Sequence, residues 1–231
     1  MTENLRDNKG PEELAYFLGH YVPWRKARLT VLVDHYGREW FTGKRVLELG
    51  CGYGHMGISL AMLGADVTFS DGRRGHLDWI VKNWPLIPSD KLIKADLESE
   101  WPFEGHWDLI LHQGLLYHLT NWSFGLRMAA QFCDRMTLET ETLDTDVLLG
   151  HKKISEDPEK MQSALSGKSV RVPAVRIEAA LDEVGLRHQM CLDTRLNSGR
   201  HKYVWPVENS GKSFAGTRRW WWCWRDGHGP S

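Results

Sequence analysis

The chain has 231 residues, with 29 basic and 30 acidic side chains, so its formal net charge of −1 argues against a protein built as a whole to bind nucleic acid. This length suits one α/β domain with additions. The polar start of the chain and the lack of a long apolar run predict a cytoplasmic protein without a signal peptide or membrane span. Four cysteines without a CxxC pair are expected to be buried free thiols.

The beginning of the chain predicts helices that cover a later site. Residues 1–22 are a lead-in in which Pro11 starts a short helix, and a second helical pattern runs from Trp24 to Trp40. The sequence therefore divides into an N-terminal helical cover, residues 1–43, and a main domain, residues 44–231.

The most informative stretch is Val-Leu-Glu-Leu-Gly-Cys-Gly-Tyr-Gly at residues 46–54. A short apolar run carrying Glu48 breaks into glycines at alternate positions, and a helical pattern starts at His55. A strand, a tight glycine turn and a helix start form a floor for a nucleotide-like ligand, because glycines let the backbone approach it and the helix start offers unpaired N–H groups. A dinucleotide site is the competing interpretation, but His55 stands where its third glycine would fall.

Three further strands follow at the spacing of an α/β protein. Residues 65–70 form a strand closed by Asp71, residues 91–95 form one ending at Asp96, and residues 107–112 form a third. An acid after the second strand is placed to accept two hydrogen bonds from a ribose cis-diol.

The pattern E-x-G-x-G-x-G resembles the first motif of class I S-adenosylmethionine-dependent methyltransferases, and the resemblance extends over about residues 40–140. In that family the glycine loop wraps the methionine and ribose portion of the cofactor. The resemblance implies that Asp96 accepts a hydrogen bond from the adenine amino group, with the backbone of Leu97 beside the ring. The predicted cofactor-binding residues are Glu48, Gly50, Cys51, Gly52, Tyr53, Gly54, Asp71, Gly72, Asp96, Leu97, His112 and Gln113.

The second half of the chain predicts alternating strands and helices. These are a helix at 122–133 capped by Asn121, a strand at 135–139, a helix at 172–184, a strand at 186–192 and a final strand at 219–225. Residues 140–170 and 193–217 are predicted variable insertions, the first with a lid as one interpretation. The resemblance implies a three-layer Rossmann-like fold whose mostly parallel, seven-stranded sheet has the order 3-2-1-4-5-7-6, with the last strand antiparallel.

Tryptophan is unusually frequent, with 12 residues in the chain. Trp220, Trp221, Trp222 and Trp224 stand almost side by side, and we expect core packing to account for only some of them.

The region before this tryptophan run is predicted to build the acceptor pocket. Aromatic platforms with polar groups suit sugars, and arginines suit carboxylate or phosphate groups. The predicted acceptor-binding residues are Arg200, Tyr203, Trp205, Arg218 and Arg219. The alternative is a solvated hairpin whose basic residues keep a sheet edge soluble.

Catalytic candidates cluster after the fourth and fifth strands. Methyl transfer requires a positioned nucleophile and, for a hydroxyl acceptor, removal of its proton. His118 is the first candidate for the general base, Glu139 is the second, and Tyr117 is a candidate for orienting the sulfonium. Carboxylates at 139–146 also offer ligands to a divalent metal. Metal-dependent catechol-type enzymes place an acid where His112 and Gln113 stand, so no metal is predicted.

The segment Gly-Leu-Leu-Tyr-His at 114–118 resembles one in the family that carboxymethylates the wobble uridine of tRNA using carboxy-S-adenosylmethionine. That resemblance implies that Tyr117 and a late arginine, Arg218 or Arg219, engage the extra carboxylate. The chain departs from that family in being shorter and in lacking an evident basic N-terminal domain.

The sequence therefore predicts a methyltransferase acting on oxygen or nitrogen of a small polar or anionic acceptor, with a saccharide as one candidate. An RNA- or tRNA-modifying (carboxy)methyltransferase and a non-catalytic protein that only binds S-adenosylmethionine remain alternatives. The acceptor's identity and the oligomeric state stay open.

Overall fold

A central sheet flanked by helices organises the protein, as seen in a computed structural model that describes residues 21–147, 152–160, 163–210 and 216–229. The described helices are α1 (Val22–Tyr36), α2 (His55–Ala61), α3 (Arg74–Asn83), α4 (Trp122–Gln131) and α5 (Ala174–Glu183). The described strands are β1 (Arg45–Leu49), β2 (Asp66–Asp71), β3 (Leu92–Lys94), β4 (Leu109–Gln113), β5 (Arg135–Leu143), β6 (Lys152–Ser155), β7 (Lys168–Pro173), β8 (Arg187–Met190) and β9 (Arg218–Trp224). The predicted helix starting at Pro11 lies outside the described residues.

The sheet has the predicted order. Strands β3, β2, β1, β4 and β5 are parallel neighbours in that order. Strand β9 runs antiparallel to β5, from Arg135 opposite Trp224 to Glu141 opposite Arg218, and β8 lies antiparallel on its other side. The order β3-β2-β1-β4-β5-β9-β8 confirms the expected arrangement, in which the last strand enters between the fifth and the sixth.

The strand count differs from the prediction, because nine strands are described rather than seven. The extra two, β6 and β7, pair antiparallel with each other inside the insertion predicted at 140–170. Strand β5 continues to Leu143, four residues further than predicted, and its end pairs with the end of β7. The helix predicted from residue 172 begins only at Ala174, because Val170 and Val172 belong to β7 and are buried there.

Both faces of the sheet are covered, which explains the tryptophan run. Side chains alternate along a strand, so Trp220 and Trp222 pack in the core beneath α1, α2 and α3, while Trp221 packs in the core beneath α4 and α5. Trp220 and Trp221 are fully buried, and Trp221 Nε1 donates to Glu178 Oε1 at 2.8 Å. Trp224 is partly buried and packs against the same core as Trp220 and Trp222, so core packing accounts for all four tryptophans rather than for only some of them.

Two local predictions need correction. Helix α1 ends at Tyr36 rather than running to Trp40, because Gly37 takes φ +85° and its amide donates to Val33 O at 2.8 Å. Asn121 makes no side-chain cap to α4, since its Nδ2 donates to Glu98 O at 3.1 Å.

Across the described ranges, no helix is both long enough and apolar enough to traverse a lipid bilayer.

Candidate active site

A cavity of about 490 Å³ opens at the carboxyl ends of β1, β2 and β4. Its floor is the glycine turn 50–54, one wall is the start of α1, and residues 163–166 of the insertion form part of another wall. Ligands of open α/β sheets bind at this edge, so the cavity lies where the glycine turn predicts a ligand site.

The three glycines of the turn have left-handed backbones and different roles. Gly50, Gly52 and Gly54 have φ values of +61°, +54° and +69°, which side chains rarely tolerate. A Cβ on Gly50 would lie 2.9 Å from Leu115 Cδ1, and one on Gly54 would lie 2.8 Å from Ile80 Cδ1, whereas one on Gly52 would meet no atom within 4 Å. The outer two glycines therefore allow close packing, and the middle one leaves open space above the backbone.

Glu48 supports the turn from below. Its Oε2 accepts a hydrogen bond of 2.8 Å from the amide of Gly57 in α2. Burial raises the pKa of Glu48 to about 8, although the Gly57 hydrogen bond and Arg28 act in the opposite direction. The side chain lines the cavity, as the cofactor assignment requires, and also fixes α2 against β1.

Asp71 ties the glycine turn to the end of β2. Its Oδ2 accepts from the Gly52 amide at 2.8 Å, while its Oδ1 accepts from the Arg73 amide at 2.8 Å and lies 3.0 Å from His76 Nδ1. A carboxylate oxygen accepts about two hydrogen bonds, and among the described groups Oδ2 receives only the Gly52 bond. One acceptor position therefore remains for a hydroxyl in the cavity.

The other predicted cofactor residues divide into two groups. Those on the cavity wall are Cys51, Tyr53, Gly72, Asp96 and Gln113. Leu97 and His112 do not line the cavity: Leu97 packs in the core beneath α4, and His112 points to the same side of the sheet as Ile110. Burial lowers the pKa of His112 to about 4, so the ring is neutral in the sheet.

Glu139 lies at the centre of a buried ion-pair network rather than in the cavity. Arg218 binds it through Nε, Arg28 Nη2 lies 3.2 Å from Oε2, and the Tyr203 hydroxyl donates to Oε1 at 3.1 Å. Burial alone would raise the pKa of Glu139, but Arg218 and Arg28 hold it below its usual value. These contacts leave the carboxylate poorly suited to the base role predicted for it.

The ion-pair network around Glu139 extends through Glu141 to strand β7. Arg218 Nη1 lies 3.1 Å from Glu141 Oε1, and Arg171 Nη2 of β7 lies 2.5 Å from Glu141 Oε2. Asp144 accepts hydrogen bonds from the backbone of Glu208 and from Ser210. Within the described part of the chain, no group of three His, Cys, Asp or Glu side chains could hold a metal ion.

Tyr117 and His118 lie in a short 3₁₀ turn, Leu116–His118, and both line the cavity. The Arg218 guanidinium carbon is 5.0 Å from the centre of the Tyr117 ring. His118 Nδ1 lies 3.4 Å from Oε2 of Glu156 in the insertion. Burial would raise the pKa of Glu156, but hydrogen bonds from His118, Ser169 and the Ala164 amide together lower it to about 2.

The predicted acceptor residues do not form one group. Arg218 lines the main cavity, whereas Arg200 and Trp205 line a second concavity beside it. Tyr203 is fully buried, and Arg219 holds the chain by donating to the carbonyls of Tyr203 at 2.7 Å and Trp205 at 3.0 Å. Arg219 and Tyr203 therefore shape the wall from behind.

Three contacts anchor the insertion over the cavity. Arg73 Nη2 donates to the carbonyls of Pro158, Lys160 and Ser163 at 2.9, 3.2 and 3.0 Å. Leu165 packs so closely on Gly72 that a Cβ there would lie 2.1 Å from Leu165 Cδ1. The third contact is the approach of His118 Nδ1 to Glu156 Oε2 at 3.4 Å. Sequence reasoning missed Arg73 and Glu156, because neither belongs to a motif.

Helix α1 supplies three cavity residues that belong to no sequence motif. Trp24, Arg25 and Arg28 all line the cavity. Arg28 Nη2 donates to Gln113 Oε1 at 2.9 Å as well as to Glu139, which joins α1 to β4 and β5. The only available signal was the spacing of Arg25 and Arg28, which places both on one helical face next to Trp24.

The cavity fits the cofactor implied by the glycine motif. Asp71 and Asp96 offer acceptors at one end, where a ribose diol and an adenine amino group need them. The open space above Gly52 admits a ligand directly onto the backbone. Arg25, which interacts electrostatically with Glu48 and Tyr53, supplies a cation beside the turn for the methionine carboxylate.

Comparison with known proteins gives a family match over most of the chain. The methyltransferase domain family matches residues 21–190. The chain is 22% identical over 215 residues to the tRNA U34 carboxymethyltransferase of Syntrophotalea carbinolica, covering 82% of this chain and 64% of that protein. It is 35% identical over 105 residues to the protein N-lysine methyltransferase METTL21A of Danio rerio, covering 42% of this chain and 47% of that protein. The chain thus spans about half to two thirds of the length of these relatives.

Solved structures share the fold. The N-terminal domain of EvdMO1, crystallised in the presence of SAH and D-fucose, has a TM-score of 0.63 at 22% identity and covers 89% of this chain and 83% of its own. The magnesium protoporphyrin IX methyltransferase ChlM of Synechocystis PCC 6803, with bound SAM, has a TM-score of 0.58 at 16% identity. The match covers 97% of this chain and 89% of that one. Together with the family match, the sheet order and the glycine turn, these findings show that the chain belongs to the class I methyltransferases, whose cofactor is S-adenosylmethionine.

Proposed function

We propose that this chain transfers the methyl group of S-adenosylmethionine to an oxygen or nitrogen of a small polar acceptor bound beside Tyr117. The observation that carries the proposal is the polarity of one continuous cavity. Asp71 and Asp96 lie at one end, next to β2 and β3, whereas Arg28 and Arg218 lie at the other, next to β4 and β5. The first end suits the adenosyl group, and the second end provides a separate chemical environment for an acceptor.

Residues of the 3₁₀ turn supply the proton chemistry in this proposal. The bound cofactor provides an electrophilic methyl group on a sulfonium. With its Nδ1 proton held towards Glu156, His118 keeps the lone pair of Nε2 for the proton of an acceptor hydroxyl. The acceptor oxygen would then take the methyl group as the methyl–sulfur bond breaks, which leaves S-adenosylhomocysteine, and His118 would pass the proton to solvent. Tyr117 presents its ring beside the same space.

The decisive experiment measures binding of S-adenosylhomocysteine and of its 2′-deoxy analogue by calorimetry. The parent protein should prefer the hydroxylated ligand by about tenfold, which corresponds to one charge-assisted hydrogen bond. Asp71→Asn should reduce that preference. Asp78→Asn, which removes an exposed aspartate paired with Arg74 on α3, is the matched control and should leave the preference unchanged. Failure of the parent protein to bind either ligand would refute the proposal.

Turnover is tested separately, by the release of S-adenosylhomocysteine in the presence of a panel of small hydroxylated and amino acceptors. A protein that binds the cofactor but consumes none of it with any acceptor would favour the non-catalytic alternative. This outcome would be consistent with the proposed cofactor binding but would contradict the proposed methyl transfer.

Carboxymethyl transfer to RNA is the second candidate, and one contact favours it. Tyr117 and Arg218, the pair that the wobble-uridine family would use for an extra carboxylate, are neighbours at the end of the cavity. However, Arg218 is already bound to Glu139 and Glu141. Stronger stabilisation of the protein by carboxy-S-adenosylmethionine than by S-adenosylmethionine would support this candidate over simple methyl transfer.

A further inference from the structure

A buried ion-pair network behind the basic end of the cavity holds more positive charge than its carboxylates balance. Arg28 and Arg218 of this network line the cavity, whereas Arg171 lines the second concavity. Arg28, Arg171 and Arg218 are each at most 8% exposed, and the two carboxylates they bind are Glu139 and Glu141. Three guanidiniums against two carboxylates leave one positive charge over. A charge that is buried without a partner is unfavourable, so this arrangement is one that a ligand anion would complete.

Unused donors lie in the same cluster. The Nε groups of Arg28 and Arg171 are buried and have no acceptor among the described residues. Buried N–H groups are nearly always paired in folded proteins. The two unpaired Nε groups therefore leave Arg28, which lines the main cavity, and Arg171, which lines the second concavity, incompletely neutralised by hydrogen bonds within the described part of the protein.

Aromatic rings hold these guanidiniums in place. The guanidinium carbon of Arg28 lies 4.5 Å from the Trp24 ring centre, and that of Arg218 lies 5.4 Å from Trp24 and 5.0 Å from Tyr117. Stacking uses the flat face of a guanidinium and leaves its N–H edges for acceptors. Arg25 adds a fourth cation one turn earlier on α1, and its pKa is lowered to about 10 by burial and by the nearby Arg28.

We infer that this end of the cavity binds a carboxylate of the acceptor, with Arg28 as the residue that selects it. The inference rests on the proposed function and names its substrate class: a small hydroxy- or amino-carboxylate. Because Arg25 is assigned to the methionine carboxylate of the cofactor, the ion-pair network itself keeps one excess charge, which matches a monoanionic carboxylate rather than a phosphate dianion. Because arginine contacts stabilise the anion and reduce its nucleophilicity, the carboxylate is the anchor, and a neighbouring hydroxyl or amine faces His118.

The test uses the full chain saturated with S-adenosylhomocysteine and titrates matched ligand pairs by calorimetry. The pairs are 4-hydroxybenzoate with 4-hydroxybenzamide, and glucuronate with glucose, each differing in the carboxylate. In at least one pair, the carboxylate should bind about tenfold more tightly or better. Arg28→Met should remove that preference, and Arg28→Lys should retain part of it.

Arg187→Met is the matched control, because Arg187 lies on β8 with 69% of its side chain exposed and pairs with Asp226 at the surface. It should leave the carboxylate preference unchanged. Retained binding of S-adenosylhomocysteine by Arg28→Met would show that the variant is folded. If neither carboxylate is preferred by the parent protein, or if the preference survives Arg28→Met, the inference is wrong.

A second arm asks whether the anion belongs to the cofactor instead. Carboxy-S-adenosylmethionine replaces S-adenosylhomocysteine in the same titration. If it binds more tightly than S-adenosylmethionine and abolishes the preference for carboxylate acceptors, the subsite belongs to the donor and the acceptor assignment is overturned. If the parent protein binds no S-adenosylhomocysteine at all, the proposed function itself is refuted. This failure is therefore distinguishable from failure of the carboxylate inference.

Discussion

Glu48 and Glu139 are buried glutamates in opposite electrostatic surroundings, and Glu48→Gln tests this contrast. Burial raises the pKa of Glu48 from 4.5 to about 8. Between these two values the native protein holds a proton that the unfolded chain has released. The free energy of unfolding therefore falls as pH rises through this window and levels off above it. At about 1.4 kcal/mol per pH unit, the total loss is about 5 kcal/mol.

Glutamine removes the ionisation but keeps a carbonyl that accepts from the Gly57 amide. We therefore expect Glu48→Gln to match the parent protein near pH 5 and to exceed its unfolding free energy by up to about 5 kcal/mol near pH 9. Urea unfolding of the ligand-free protein at pH 5, 7 and 9 measures this difference.

Glu139→Gln is the matched control, because it makes the same chemical change at a fully buried glutamate whose pKa is lowered by Arg218 and Arg28. Breaking that buried pair should destabilise the protein by about 3–5 kcal/mol, with no gain at pH 9. If Glu48→Gln follows the pH profile of the parent protein, then Glu48 is charged in the native state and the reasoning from burial is refuted.

Two further predictions concern the cover of the cavity and the base. Arg73→Met removes three hydrogen bonds to the insertion and should accelerate tryptic cleavage after Lys160, whereas Arg74→Met, which loses only a surface ion pair, should not; equal cleavage rates would contradict the anchoring role. His118→Gln should lower turnover by about 10²–10⁴-fold while leaving S-adenosylhomocysteine affinity unchanged. The control His106→Gln changes an exposed histidine paired with Asp134 and should not alter turnover; a parallel loss of affinity in His118→Gln would make that residue structural.

The cofactor half of the fold was predictable because its signals are local in sequence. The glycine turn and the acids after two successive strands follow one another at the spacing of an α/β unit. The expected sheet order followed from the same resemblance and is confirmed. Local pattern was enough here, because parallel strands bring their carboxyl ends to one edge of the sheet.

The rest could not be predicted, because it depends on contacts between distant segments. Whether His112 faces the cavity or the core depends on strand register, which the sequence alone does not determine. Glu139 looked like a candidate base, but Arg28 and Arg218 approach it from 111 and 79 residues away. Strands β6 and β7 were not predicted, because the polar composition of residues 140–170 is typical of a loop.

The acidic and basic ends of the cavity are assembled from different elements, and this affects which acceptors the protein can bind. The acidic end is built from neighbouring strands, whereas the basic end combines α1, β5, β7 and β9. A lysine ammonium at about 5 Å from an uncompensated guanidinium would cost about 3 kcal/mol at an effective dielectric constant of about 20, which is more than a hundredfold in affinity. The basic end thus disfavours a cationic acceptor amine that carries no carboxylate of its own. Similarity to a protein N-lysine methyltransferase over 105 residues is compatible with a shared cofactor half and a different acceptor.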